Sequence, residues 1–222
     1  GYTSAVDMCL GCSKLESIPN DVAESFAQVK SFIGAFSCCE SLKEIPAGLF
    51  RYATEARTFE DCFSDTASIS EIPEGLFDSC HSAQDFSYAF YGTGTGYVVT
   101  NTTLTNYDEI VALVSQGKLR TLPAKLFEKC TMATQMDYVF GATAITEIPQ
   151  NIFDSCTNAT TLMGAFSACV NLAKIPEKLL AKTSSVTDIK YMFAGCRSVT
   201  ELPVGMFSNC ESVTNMEYIF YR

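Results

Sequence analysis

The sequence has no tryptophan and a single histidine, His81. Ser-His-Asp or Cys-His catalysis would have to run through that one residue. His81 follows Cys80 in a turn whose equivalents elsewhere hold Thr131, Thr157 and Glu211, so it occupies a generic polar place. Long apolar runs are missing too: none approaches the ~18 residues of a membrane span. No basic segment followed by an apolar stretch opens the chain, and its start at Gly1-Tyr2-Thr3 reads as a trimmed segment. Basic residues are few and scattered, 15 against 25 acidic, for a formal charge of −10. A polyanion partner needs clustered Lys and Arg that release counterions, so nucleic-acid binding is excluded. The acidity fits a soluble surface with a weak pull towards basic partners or divalent cations. Nucleotide loops are absent as well. Gly92-x-Gly-x-Gly96 lacks a following Lys and a helix start, and is read as a flexible connector. No cofactor is expected.

Proline is also scarce, and its few copies organise the chain. They are Pro19, Pro46, Pro73, Pro123, Pro149, Pro176 and Pro203, separated by 27, 27, 50, 26, 27 and 27 residues. Numbering each unit from its proline, position −1 is always Ile or Leu and position −4 is aliphatic, as in Leu42, Ile69 and Ile145. Position +17 is always Phe: Phe36, Phe63, Phe90, Phe140, Phe166, Phe193 and Phe220. Further Phe residues fall at +4 and +13, and only Phe26 of the 16 stands outside these columns. Periods of this length mark a solenoid in which each coil buries its apolar side against its neighbours. The unit echoes itself. Val186-x-x-Ile189-x-x-Met192-Phe193-x-x-Cys196 is followed by Val199-x-x-Leu202-Pro203-x-x-Met206-Phe207-x-x-Cys210. Each coil therefore has a half with the proline and a half without, facing each other across a narrow core.

The stretch from −4 to the proline is short, apolar and β-branched, which predicts a strand pairing with adjacent coils. After the proline, apolar positions at +3, +4, +7 and +10 predict a helical or 3₁₀ segment. The second half is ambiguous between helix and strand. One segment, 91–118, breaks the period by inserting 23 residues, and reads as a degenerate coil or a loop extension. Within it Tyr97-Val-Val-Thr100 could form a strand. Asn106 to Gly117 reads as a helix, capped by Asn106, with Asp108 and Glu109 at the positive end of its dipole and Gly117 ending it.

Cys39-Glu-Ser-Leu-Lys-Glu-Ile-Pro46 and Phe193-Ala-Gly-Cys-Arg-Ser-Val-Thr-Glu-Leu-Pro203 resemble the BspA-like leucine-rich repeats of bacterial surface proteins. Ala35-Phe36, Ala89-Phe90 and Ala165-Phe166 match the opening of that repeat, and the likeness covers 8–90 and 119–222. Two departures stand out: the unit here is longer, and proline directly follows the second aliphatic. The resemblance implies an α/β, right-handed, arc-shaped solenoid with short strands on one face and short helical or 3₁₀ segments elsewhere. It also implies secretion or display at a bacterial cell surface, and attachment to host proteins or other cells. The expectation is a single solenoid domain over 1–222, of about eight coils of 26–27 residues, regular over 8–90 and 119–222 and degenerate over 91–118.

Eleven cysteines, an odd number, cannot all pair within the chain. Eight fall in two columns, Cys80, Cys130, Cys156 and Cys210 at +7, then Cys12, Cys39, Cys169 and Cys196 in the other half. Other coils place Ala or Thr there, so these sites want a small side chain and the thiols should be buried and free. Cys9-Leu-Gly-Cys12 has metal-ligand spacing but no second pair to complete a site, so no metal is expected. Two surface columns are the binding candidates. Glu44, Glu71, Glu147 and Glu201 stand at −2, interrupted by Lys174, and Tyr88, Tyr138, Tyr191 and Tyr218 stand at +15. Amphipathic tyrosines one coil apart suit a contact surface. The reading is a non-enzymatic binding or adhesion module for a protein or extracellular glycan. A spacer that projects another domain, and a hydrolase with carboxylates near the irregular coil, are the alternatives.

Overall fold

The computed structural model describes residues 1–96 and 107–221. Its backbone is organised by the half of each coil that lacks proline. There the residue at +15 is left-handed in every coil: Asp7, Gly34, Asp61, Tyr88, Tyr138, Gly164, Tyr191 and Tyr218 have φ between 52° and 61°. The residue at +19 is left-handed as well, through Gly11, Cys38, Asp65, Gly92, Ala142, Ala168 and Gly195. Two such residues four apart curl the chain into a ribbon of turns and split its N–H groups into two sets. In the coil of Phe32, the N–H groups of Phe32, Gly34, Phe36 and Cys38 donate to the next coil's Thr58, Glu60, Cys62 and Ser64 carbonyls at 2.9–3.0 Å. Those of Ala35, Ser37 and Cys39 turn back three residues, to Phe32, Gly34 and Phe36. The remaining donor, at +14, is taken by the side chain at +12 in most other coils, though Ser31 Oγ makes no such bond in this one. Asp85 accepts from Ser87 N–H at 2.8 Å and Asp188 from Lys190 N–H at 2.8 Å, while Thr58 and Asn215 do the same in their coils. This is the Asx or Ser/Thr turn, and it explains why +12 is Ser, Thr, Asp or Asn in nearly every coil.

Single parallel bridges tie these halves into one ladder, Ser4, Ser31, Thr58, Asp85, Gln135, Thr161, Asp188 and Asn215. The strand expected before each proline is not there: among the described residues there is no strand, and the proline half holds its neighbours by sparse contacts. Examples are Lys43 N–H to Glu16 C=O at 3.1 Å, Thr146 to Arg120 at 3.0 Å, and one bridge between Glu147 and Lys174. Proline has no N–H to give, which leaves position −3 as the recurring donor. The segment after the proline is a 3₁₀ helix in one coil, Asn20–Phe26, and turns elsewhere. Those turns begin with the 3₁₀-type bond from +3 N–H to the proline carbonyl, as from Leu49 to Pro46 at 3.0 Å.

The columns of phenylalanine are the core. The +17 rings stack from Phe36 through Phe63, Phe90, Phe140, Phe166 and Phe193 to Phe220, with centroids 5.5–5.8 Å apart and planes within 17°. Rings at +4 come from the opposite half and wedge between those at +13: Phe50 lies 4.8 Å from both Phe32 and Phe59. Each buried ring contributes roughly 1.5–3 kcal/mol, with about 0.5–1.5 kcal/mol more from each offset or edge-on contact. Phe26, the one outside the columns, takes the small-residue +7 site in its coil and meets Phe32 edge-on at 4.9 Å.

Across the long step the ladder does not pause. Phe86, Tyr88, Phe90 and Gly92 donate directly to Gln135, Asp137, Val139 and Gly141. The glycine-rich run is not a loose connector. Gly92 to Thr95 are buried, and the Thr93 and Thr95 hydroxyls donate to the Phe63 and Gly92 carbonyls. Gly94 (φ +76°) passes where a Cβ would lie 2.6 Å from both the Ile69 carbonyl and the Leu119 nitrogen, so only glycine fits. Helix α1, Tyr107–Ser115, forms as the sequence predicts, with Asp108 and Glu109 in its first turn. Its Val114 is buried against Ala142 and Val170, with Tyr91, Ile110 and Val111 around it. The proposed cap at Asn106 and the possible strand at 97–100 lie outside the described residues.

Candidate functional site

The eight candidate residues fall on the two different halves of the coil. Glu44, Glu71, Glu147 and Glu201 are all exposed on the proline half, as is Lys174. None of them takes part in an ion pair among the described residues. Glu201 and Lys174 line a groove of about 390 Å³ with Ile175, Glu177, Leu202 and Val204. The tyrosines lie on the ladder half, on the ribbon whose alternate N–H groups donate to the next coil.

They form two groups. Tyr88 and Tyr138 stack with centroids 4.9 Å apart and planes at 12°, and Tyr91 stands edge-on to both at 5.6 and 6.2 Å. Tyr191 and Tyr218 stack at 5.2 Å and 11°, with Tyr221 edge-on to Tyr218 at 5.6 Å. Gly164 separates the groups. A Cβ there would lie 2.2 Å from Tyr138 Cε1, so the Tyr138 ring leans over the glycine of the next coil. In the second group Lys190 holds its ammonium 5.1 Å from the Tyr191 centroid and 5.6 Å from that of Tyr218, while its Nζ pairs with Glu217 at 2.9 Å. Its ammonium is held above its ordinary pKa by the hydrogen bond it donates to Glu217.

The first group is bordered by acids instead. Glu60, Asp61, Asp85 and Asp137 stand on the same ribbon, and Asp137 accepts from the Thr161 hydroxyl and from Met163 N–H at 3.1 Å. Burial first, then neighbouring carboxylates, pushes Glu60, Asp61 and Asp137 above the usual carboxylate range. The Tyr88 and Tyr138 phenols are raised by burial as well. Reading columns one at a time finds the tyrosines but misses Tyr91, Tyr221, Lys190 and these acids. The signal for two of them was available: Tyr91 and Tyr221 each follow a +15 tyrosine by three residues.

The thiols are structural. All eleven are free, and seven (Cys39, Cys62, Cys80, Cys130, Cys156, Cys169 and Cys196) are buried. Burial pushes Cys39, Cys80 and Cys156 up to about 12 and Cys169 to about 11, far from the thiolate that a nucleophile or metal ligand needs. Cys169 and Cys196 donate to the preceding coil's Phe140 and Phe166 carbonyls at 3.2 and 3.1 Å, and Thr143 donates to Phe140 at 2.8 Å. The shared demand of that column is a small hydrogen-bond donor, which is why Cys and Thr interchange there. His81 is exposed. Among the described residues, no group of three or more His, Cys, Asp or Glu is arranged to hold a metal.

Stacked coils, a phenylalanine spine and a tyrosine-lined ribbon define a repeat protein of the leucine-rich type. The profile described as the BspA type leucine rich repeat region (6 copies) matches residues 87–219, more than half of the chain, and the chain belongs to that family. No curated protein matches significantly. Among solved structures, a chain of the Toll–Spatzle complex from Drosophila, in its glycosylated form, is 17% identical with a TM-score of 0.46, the match covering 90% of this chain and 30% of that one. A leucine-rich cell surface protein of Faecalibacterium prausnitzii A2-165 is 21% identical with a TM-score of 0.26, covering 96% of this chain and 62% of that one. The chain thus spans less than two thirds of either. No helix among the described residues is long and apolar enough to cross a membrane.

Proposed function

We propose that the chain is a non-enzymatic binding module of a secreted or surface-displayed bacterial protein, meeting a protein or extracellular glycan along its tyrosine ribbon. The stack comprises about eight coils in one solenoid, its sequence period interrupted by the irregular segment 91–118. The observation that carries the reading is the backbone at +15. Left-handed φ is natural for Gly, Asp or Asn, and costs other L-residues roughly 1–2 kcal/mol, yet four coils hold Tyr there. A bulky residue kept at a strained position is material for function more than for folding. Ring stacking recovers part of the cost and leaves all four tyrosines at least partly exposed. A hydrolytic centre at the irregular coil has less support, since Asp108 faces Arg197 at 3.7 Å in place of a second acid.

The test replaces Tyr88, Tyr138, Tyr191 and Tyr218 together with Gly, the residue that Gly34 and Gly164 already supply at that position. Adhesion to immobilised extracellular-matrix proteins and glycans should fall at least tenfold while the far-ultraviolet spectrum is unchanged. Full adhesion by the folded variant would leave the spacer reading in its place.

A further inference from the structure

The two tyrosine groups are the same device in two states of completion. In the second, the protein supplies its own cation: Lys190, at +14, lies over both stacked rings and is held there by Glu217. In the first, the +14 residues are Ser87 and Asp137, and among the described residues no Lys or Arg lies over Tyr88 or Tyr138. What borders those rings is mainly negative, with Lys190 of the second group the cation felt by Tyr138. Asp137 is fixed by Thr161 and Met163, Asp85 is fixed by Ser87 N–H, and Glu60 and Asp61 sit in the preceding coil. None of the four takes part in an ion pair among the described residues. Burial, and after it the neighbouring carboxylates, disfavours charge on Glu60, Asp61 and Asp137.

We infer that the Tyr88–Tyr138 stack, with Asp137, Asp85 and the Glu60–Asp61 pair beside it, receives a lysine or arginine side chain from a basic segment of a protein partner. The inference rests on the proposal that the tyrosine ribbon is the binding surface, and gives its partner a chemistry. A cation over the face of a tyrosine gains from the ring quadrupole, more so when partly desolvated. Carboxylates at the rim steer it and pair with it. Lys190 shows that this backbone places a cation at the right height over two stacked rings. The acids at the first group do for an incoming cation what Glu217 does for Lys190. A neutral glycan would donate hydroxyl hydrogen bonds to the carboxylates but leave the four charges uncompensated, whereas a basic protein segment neutralises them, so the protein partner is favoured.

The experiment uses two short probes, acetyl-Gly-Lys-Gly-Lys-Gly-amide and the same peptide with norleucine for lysine, at physiological salt, read by tyrosine ring shifts in NMR. The lysine peptide should move the Tyr88 and Tyr138 signals saturably, and the norleucine peptide should not. Tyr88→Gly with Tyr138→Gly, and separately Asp137→Asn, should each weaken binding at least fivefold. Lys190→Ala should open a second site, with the Tyr191 and Tyr218 signals now responding to the lysine peptide. Equal shifts with both peptides, or undiminished binding after the double glycine substitution, would overturn the assignment, the latter marking attraction to net charge only. If the four-glycine variant loses adhesion while the two peptides behave alike, the binding surface stands and the cation site falls. If the lysine peptide binds as expected but the variant still adheres, the site stands and adhesion runs elsewhere.

Discussion

Position +15 shows how much one dihedral can decide. Its left-handed φ admits Gly34 and Gly164 without strain and Asp7 and Asp61 at small cost, and the tyrosines are held there by their neighbours. Gly164→Ala adds a Cβ within 2.2 Å of the Tyr138 ring to the roughly 1–2 kcal/mol of left-handed strain. Chemical denaturation should show a loss of that order or more, and the part due to the ring should vanish in a Tyr138→Gly background. The acids of the ribbon set a second expectation. Glu60, Asp61 and Asp137 have folded-state pKa values above their ordinary ones, so the folded chain binds protons more tightly than the unfolded chain there. Their contribution to stability is therefore fully present at low pH and is lost as pH rises through the folded values. Thermal unfolding should shift upward as pH is lowered from neutrality towards the carboxylate range, and Asp61→Asn should flatten that slope. Thiol chemistry follows burial: with iodoacetamide and mass spectrometry, exposed Cys12 should label first, then Cys9, Cys38 and Cys210, with the seven buried thiols protected until unfolding.

The elements show where sequence reasoning succeeds and where it fails. The core columns were legible because a Phe at +17 in every coil can only mean a stacked interior, and the rings do stack from Phe36 to Phe220. Helix α1 was legible from its own pattern, acids first and apolar residues at helical spacing. Among the described residues no strand forms before the proline, although Leu-x-x-Ile-Pro has strand composition, because pairing depends on donors and proline removes one. The ribbon that carries the ladder was hidden because Tyr, Cys and Ala give no sign that their φ is positive. Of the candidate site, the tyrosine column was legible and its partition into two groups was not, since that depends on Gly164 and Lys190. Helix α1 lies in the sequence between Gly96 and Gly117, and the ladder passes directly from Asp85 to Gln135. Joining Gly96 to Gly117 without the intervening residues should therefore keep the fold. Circular dichroism should retain its shape, with a Tm lowered by a few degrees as the small cluster of Val114, Ala142 and Val170 is lost.

The whole molecule is a series of like interfaces, each made by the same donors from +13, +15, +17 and +19 and by one more step of each phenylalanine column. Stability is then close to a sum of coil and interface contributions, and distant substitutions should add. The ladder has a consequence for how such a gene can change. Ser31 meets Thr58 in the same way that Thr58 meets Asp85, so unequal recombination that removes or duplicates one whole coil returns a chain whose rungs still fit. Copy number can drift without a folding penalty at the junction, and each event moves a tyrosine, an aspartate or a lysine one place along the ribbon. The surface can thus be recomposed by shuffling coils, with the backbone unchanged.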